Sequence, residues 1–180
     1  ENFNKPLESW NVGAVTNMNS MFVGATAFNQ PLDNWDVSSV TNMNRMFREA
    51  ANFNRPLDNW VVSNVRQMEF MFNRASSFNQ NINNWDVSGV TDMRAMFGNA
   101  SAFNQPLNNW QVGAVTDMAN MFENGIFDEP INSWDVSSVT DMGRMFFNSR
   151  FNQPIGNWDV SSVTDMEQMF ARSQEFNQPL

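Results

Sequence analysis

The stretch from Phe28 to Asn52 reads F-N-Q-P-L-D-N-W-D-V-S-S-V-T-N-M-N-R-M-F-R-E-A-A-N, and the chain is built by repeating it. The phrase opens at Phe3, Phe28, Phe53, Phe78, Phe103, Phe127, Phe151 and Phe176, a spacing of 25 residues that shortens to 24 at two steps. Self-similarity at a fixed period of this length marks an architecture in which each unit buries its apolar face against its neighbours. The reading is one solenoid over residues 1–180. It has seven repeats (3–27, 28–52, 53–77, 78–102, 103–126, 127–150 and 151–175) and a partial eighth at 176–180. The chain starts and stops inside a repeat, so it reads as a segment of a longer protein.

Within one repeat, Trp35 and Val37 alternate with Asp36. Period two predicts a short strand with Trp35 and Val37 inward and Asp36 outward. Met43, Met46, Phe47 and Ala50 fall at i, i+3, i+4 and i+7, the apolar stripe of a helix. Thr41 and the Asn or Asp after it suit a helix start. Pro31 fits a corner, because it cannot donate to a ladder and holds Gln30 extended. These assignments predict an α/β repeat solenoid, a right-handed stack of short parallel strands with short helices on the opposite side.

Composition excludes several functions. The net charge is −9, from nineteen acidic and ten basic residues. Phosphate backbones and anionic membrane surfaces would be repelled, so no nucleic-acid partner is expected. No run approaches the roughly 18–20 apolar residues of a membrane span, so no membrane insertion is expected in this segment. Cysteine, histidine and tyrosine are absent, so no disulfide framework, zinc site or histidine-based triad can be drawn. The carboxylates sit in repeat columns with the same surroundings each time, so none is singled out as an active-site group. The chain reads as no enzyme, with no cofactor and no metal site.

Three columns admit two readings each. The two methionines per repeat could line a ligand groove or bind soft copper, but they share their face with Phe and Ala and read as core. The Asn column at Asn4, Asn29, Asn54, Asn79, Asn104, Asn152 and Asn177, interrupted by Asp128, reads as a ladder satisfying corner backbone groups. The alternative is an exposed row for ligands. The threonine column at Thr16, Thr41, Thr91, Thr116, Thr140 and Thr164 could be an ice-binding array only if it were flat and exposed, and its place at a helix start argues against that.

The phrase L-x-x-W-x-V-x-x-V from Leu32 to Val40 resembles the leucine-rich repeat, with Trp in a Leu position. The following V-T-x-M-x-x-M-F-x-x-A resembles the matching half of Treponema-type leucine-rich repeats. The whole phrase F-N-Q-P-L-D-N-W-D-V-S-S-V-T-D-M is similar to BspA-like leucine-rich repeat surface proteins, which include mycoplasma lipoproteins. The resemblance implies a leucine-rich-repeat-like fold, an extracellular or cell-surface location, and a role in adhesion or protein binding. It carries no catalytic residues. In such repeats the outward strand positions line the binding face, which here means Asn34, Asp36, Asn59, Val61, Asn84, Asp86, Asn109, Gln111, Asp135, Asn157 and Asp159. A basic protein would suit that Asp-rich strip. The alternative function is a structural stalk or building block of a surface assembly. Apolar cross-sections at both ends also imply end-to-end self-association.

Overall fold

A computed structural model describes residues 2–180. Consecutive repeats lie on one another as coils, and equivalent residues form columns down the stack. Backbone hydrogen bonds link each coil to the next through residues about one repeat apart, as in Thr41 N–H to Thr16 C=O at 2.8 Å and Met43 N–H to Gln67 C=O at 3.0 Å.

The α/β assignment does not hold. Among the described residues there is no α-helix and no extended strand. Regular pairing is confined to six isolated parallel bridges in one line, Asn17–Asn42–Gln67–Asp92–Asp117–Asp141–Asp165. The expected helix from Met43 to Ala50 is a succession of β-turns. Met46 N–H donates to Met43 C=O at 3.2 Å, Arg48 to Arg45 at 3.1 Å and Ala50 to Phe47 at 3.0 Å. The alternate N–H groups of Met43, Arg45, Phe47 and Glu49 leave the coil and donate to Gln67, Glu69, Met71 and Asn73 of the next. An α-helix would send all of these to the fourth residue back.

The backbone angles show why a helix cannot form. Two residues in each coil, four apart, have positive φ: Arg45 (57°) and Glu49 (61°) in one coil, Phe70 (56°) and Arg74 (59°) in the next. Among the described residues thirteen such positions are not glycine. Each is the third residue of a turn, where a type II turn requires φ above zero. An L-residue in this region costs roughly 1–2 kcal/mol. The bonds to the next coil offset that cost, and a lone helix of this length would be marginal in water anyway.

The expected strand is also a pair of turns. Trp35 N–H donates to Leu32 C=O at 3.0 Å and Val40 N–H to Val37 C=O at 2.9 Å. The inward and outward assignments there agree with the alternation: Trp35 and Val37 are buried and Asp36 is exposed. A single rule describes the coil. The buried pairs Leu32/Trp35, Val37/Val40, Met43/Met46 and Phe47/Ala50 are each the two ends of a β-turn.

Aromatic columns fill the interior. Phe47 stacks on Phe22 at 5.4 Å and on Phe72 at 5.6 Å, while Phe53 stacks on Phe28 at 5.9 Å and on Phe78 at 6.1 Å. Phe47 and Phe53 lie 4.1 Å apart and lock the two columns together. Such contacts add to the area they bury. The methionines are core: Met43, Met46, Met68, Met71, Met93 and Met96 have no exposure. Each buried Trp gives its indole N–H to the coil before, as Trp60 Nε1 to Leu32 C=O at 2.9 Å and Trp85 Nε1 to Leu57 C=O at 3.0 Å.

At the corner, the Asn column is a ladder of side-chain acceptors. Asn29 N–H donates to Asn4 Oδ1 at 3.0 Å, Asn54 to Asn29 at 3.0 Å and Asn79 to Asn54 at 3.0 Å. Asp128 keeps the ladder intact because a carboxylate oxygen accepts equally, here from Asn152 N–H at 2.8 Å.

Two substitutions test this backbone. Arg74 is exposed and has positive φ. Arg74→Gly is expected to raise the unfolding free energy by up to about 1 kcal/mol by removing left-handed strain. In a helix the same change would cost about 0.5–1 kcal/mol. The sign of the shift in urea midpoint decides. Trp85→Ala is expected to cost about 3–5 kcal/mol, as for a buried aromatic. It also strips Leu57 C=O of its indole donor, and a thermal melt would show the loss.

Candidate functional site

The outward columns flanking Trp form one exposed face. Asn34, Asp36, Asn59, Val61, Asn84, Asp86, Asn109, Gln111, Asp135, Asn157 and Asp159 are all exposed. The turns from Leu32 to Trp35 and from Val37 to Val40 set their direction: Asn34 lies between the buried ends of the first turn, and Asp36 links the buried Trp35 to the buried Val37 and faces outward. The face is a polar floor with one apolar interruption at Val61, which is 57% exposed.

Its carboxylates already have partners. Asp36 Oδ1 accepts from Ser38 N–H at 3.0 Å and from Ser38 Oγ at 2.6 Å. The pair recurs as Asp86 with Ser88 and Asp135 with Ser137, again with the hydroxyl at 2.6 Å. Asp159 accepts from Ser161 N–H at 3.0 Å. These bonds, the serine hydroxyl first and its backbone N–H second, hold Asp36, Asp86, Asp135 and Asp159 below the usual carboxylate range. They stay ionised on mild acidification. The asparagines bind the stack together: Asn84 Nδ2 donates to Asp58 C=O at 2.7 Å and Asn157 Nδ2 to Asn132 C=O at 2.8 Å.

A second acidic column, read from sequence as helix-start residues, runs along the bridges. Asp92, Asp117, Asp141 and Asp165 each accept from the N–H two residues on, as Asp117 Oδ1 from Ala119 at 2.9 Å. They close turns where a helix start had been expected. Burial raises the carboxyl of Asp117, the Ala119 N–H opposes it, Asp92 and Asp141 raise it further, and Arg94 at 3.5 Å lowers it. Among the described residues no group of three acidic side chains is placed to hold a metal ion.

The turn surface was expected as a helix surface, and the most varied side chains lie there. Arg45 pairs with Glu69 through both carboxylate oxygens at 3.1 and 3.2 Å. Arg45 and Arg48 lie over Phe70 at 5.4 and 5.6 Å, and Arg144 lies over Phe147 at 3.9 Å. Six of the nine arginines sit on this surface: Arg45, Arg48, Arg74, Arg94, Arg144 and Arg172. The repeat pattern does not foretell these Arg–Phe clusters: Arg45 and Arg48 meet Phe70 across coils, while Phe147 gathers Arg144 of its own coil and Arg172 of the next.

Coils that share one backbone and repeat their side-chain bonds define a repeat protein. The particular family follows from comparison: the profile described as "Mycoplasma protein of unknown function, DUF285" matches residues 1–80, 55–146 and 107–180, and the chain belongs to that family. No curated protein and no solved structure matches the chain.

The Asp117 environment gives a pH test. A carboxyl raised in the folded state favours folding at low pH, and that contribution is lost as pH rises through its folded value. Asp117→Asn keeps the Oδ1 acceptor, as Asn42 does in its own coil. It is expected to raise the melting temperature at pH 7. The gain should vanish below the ordinary Asp value of about 3.9, where both forms are neutral. Melting curves across that range check it.

Proposed function

We propose that the chain is a non-catalytic, surface-exposed repeat module for protein binding or adhesion, at the cell surface or outside the cell. The observation that carries this reading is the division between constant and varied columns. The inward Trp, Val, Met and Phe positions barely change from coil to coil, whereas the column after the turn-side Phe holds a different residue in every coil, with Val23 exposed, Arg48, Glu123 and Ala171 half-buried, and Asn73, Gly98 and Phe147 buried. A scaffold needs the first kind of column, and recognition uses the second. The resemblance to BspA-like surface repeats supports the same reading, as does membership of a family described from Mycoplasma.

A basic protein is the partner whose charge fits best. The chain carries −9, and Asp36, Asp86, Asp135 and Asp159 present ionised carboxylates on one exposed face. Complementary charge speeds encounter and sets register more than it adds raw affinity. A second reading, a structural stalk, is favoured by one observation: the Asp–Ser pair is built the same way at Asp36, Asp86 and Asp135, so part of that face repeats along the stack.

Binding to an immobilised lysine-rich peptide, measured by interferometry at several salt concentrations, separates the two. A binding module is expected to show affinity that falls with salt. Replacing Asp36, Asp86, Asp135 and Asp159 together by Asn should weaken it about tenfold or more, equivalent to about 1.4 kcal/mol. No binding at low salt, or a quadruple variant that binds as tightly, would remove this face from the proposal and leave the stalk reading.

A further inference from the structure

The outward face changes character over three successive coils in the middle of the stack. The repeat sets Asp after Trp and Pro at the corner before it, as at Asp36 and Pro31. Val61 and Gln111 stand where Asp is usual, and Asn81 stands where Pro is usual. Asp86, between Val61 and Gln111 in its column, is the one carboxylate left there. Beside it lies a trough lined by Asp58, Asn81, Asn83, Asn84 and Asn109, which runs on past Asp86 to Gln111. Asp58 and Asp86 are its only charged groups.

The amides of the trough are held at one end and open at the other. Asn84 Nδ2 donates to Asp58 C=O at 2.7 Å, which leaves Asn84 Oδ1 open. Asn81 Oδ1 accepts from Asn83 N–H at 3.0 Å, which leaves Asn81 Nδ2 open. Asn109 Oδ1 accepts from Asn108 Nδ2 at 3.4 Å, which leaves Asn109 Nδ2 open. An amide offers two donors on nitrogen and two acceptor lone pairs on oxygen. The trough therefore presents fixed donors and a fixed acceptor side by side, and groups fixed beforehand lower the ordering cost of binding.

We propose that this trough binds a neutral glycan through an N-acetylhexosamine unit. The acetamido group is one N–H and one C=O, which pair with Asn84 Oδ1 and with the Nδ2 of Asn81 or Asn109. Its methyl has an apolar seat in Val61, which is 57% exposed, one coil from Asp86. Sugar hydroxyls donate and accept at once, and the carboxylates of Asp58 and Asp86 accept from neighbouring hydroxyl pairs while repelling an anionic sugar. Coils about 4.8 Å apart are spaced close to the length of one sugar in an extended β-linked chain, so a linear glycan laid along the stack meets each coil with one unit. A basic protein is held less well here, where the column has lost two carboxylates. The inference rests on the reading of this face as a binding surface, but not on the charge of the partner named for it.

Interferometry of the full chain on immobilised chitotetraose, beside immobilised cellotetraose, tests it. Chitotetraose carries an acetamido group on every sugar, and cellotetraose has a hydroxyl in its place. The chain is expected to bind chitotetraose about tenfold or more tightly than cellotetraose, and equally at low and high salt. Val61→Asp, Asn81→Pro and Gln111→Asp together restore the residues of the other coils, so this variant should keep its melting temperature and lose about tenfold in chitotetraose affinity. Asn84→Ser keeps the bond to Asp58 C=O, as Ser133 Oγ bonds Asn108 C=O at 3.0 Å, and takes away only the open oxygen. It should weaken chitotetraose severalfold. No binding to chitotetraose, cellotetraose bound as tightly, or either variant binding unchanged would overturn the proposal. Lysine-rich peptide binding falls with salt and glycan binding does not, so a failure of one reading is distinguishable from a failure of the other.

Discussion

The structure depends on how the backbone N–H groups of a short coil find acceptors. A coil of about 25 residues is too short to hold a stable helix and a stable strand by local bonding alone. Here the N–H groups along Met43–Ala50 alternate: one closes a turn inside the coil and the next crosses to the following coil. Buried backbone donors left unpaired would each cost free energy comparable to a lost hydrogen bond. The alternation satisfies them, and it makes every coil dependent on its neighbour. The positive φ angles at Arg45, Glu49 and their equivalents are the conformational cost of that arrangement.

The same dependence explains the composition. Inward positions are turn ends, so they recur three apart and must fit against identical residues one coil away. Flat rings stack well on their own copies, which suits Phe47 and Phe53, and flexible Met fills the irregular space beside them. Polar residues at the corners work in the same way. Asn29 passes one side-chain acceptor to the next coil's N–H, and any residue with that oxygen keeps the ladder running. The Asp–Ser pairs close their own loops while leaving the outer face charged. Surface variation is then partly decoupled from folding: an exposed position such as Val23 can change without disturbing the backbone bonds beneath, whereas buried Asn73 also bonds Gly98 C=O of the next coil at 2.9 Å.

Some departures from the repeat are accommodated by the coil next door. Arg66 replaces the usual Thr, and its guanidinium lies over Gly89, in the space that a Cβ at that position would need. Its own backbone keeps the bridge contacts, with Arg66 N–H donating to Thr41 C=O at 2.9 Å. Other departures place an aromatic ring among arginines, Phe70 beside Arg45 and Arg48 of the coil before, and Phe147 beside Arg144 of its own coil and Arg172 of the next. These clusters are the most individual features of an otherwise uniform surface.

The sequence alone determined the repeat, its period, the identity of the inward columns and the outward direction of Asp36 and its equivalents. It also pointed to the Asn ladder, because a polar residue recurring at a corner needs a recurring partner. It did not determine the backbone. Met43, Met46, Phe47 and Ala50 are spaced as one face of a helix, but two successive turns whose ends lie three apart place the same four residues inward. Periodicity cannot separate these, because the difference lies in where alternate N–H groups go. Only the stack decides that, by setting the carbonyls of Gln67, Glu69, Met71 and Asn73 within reach of the coil before them.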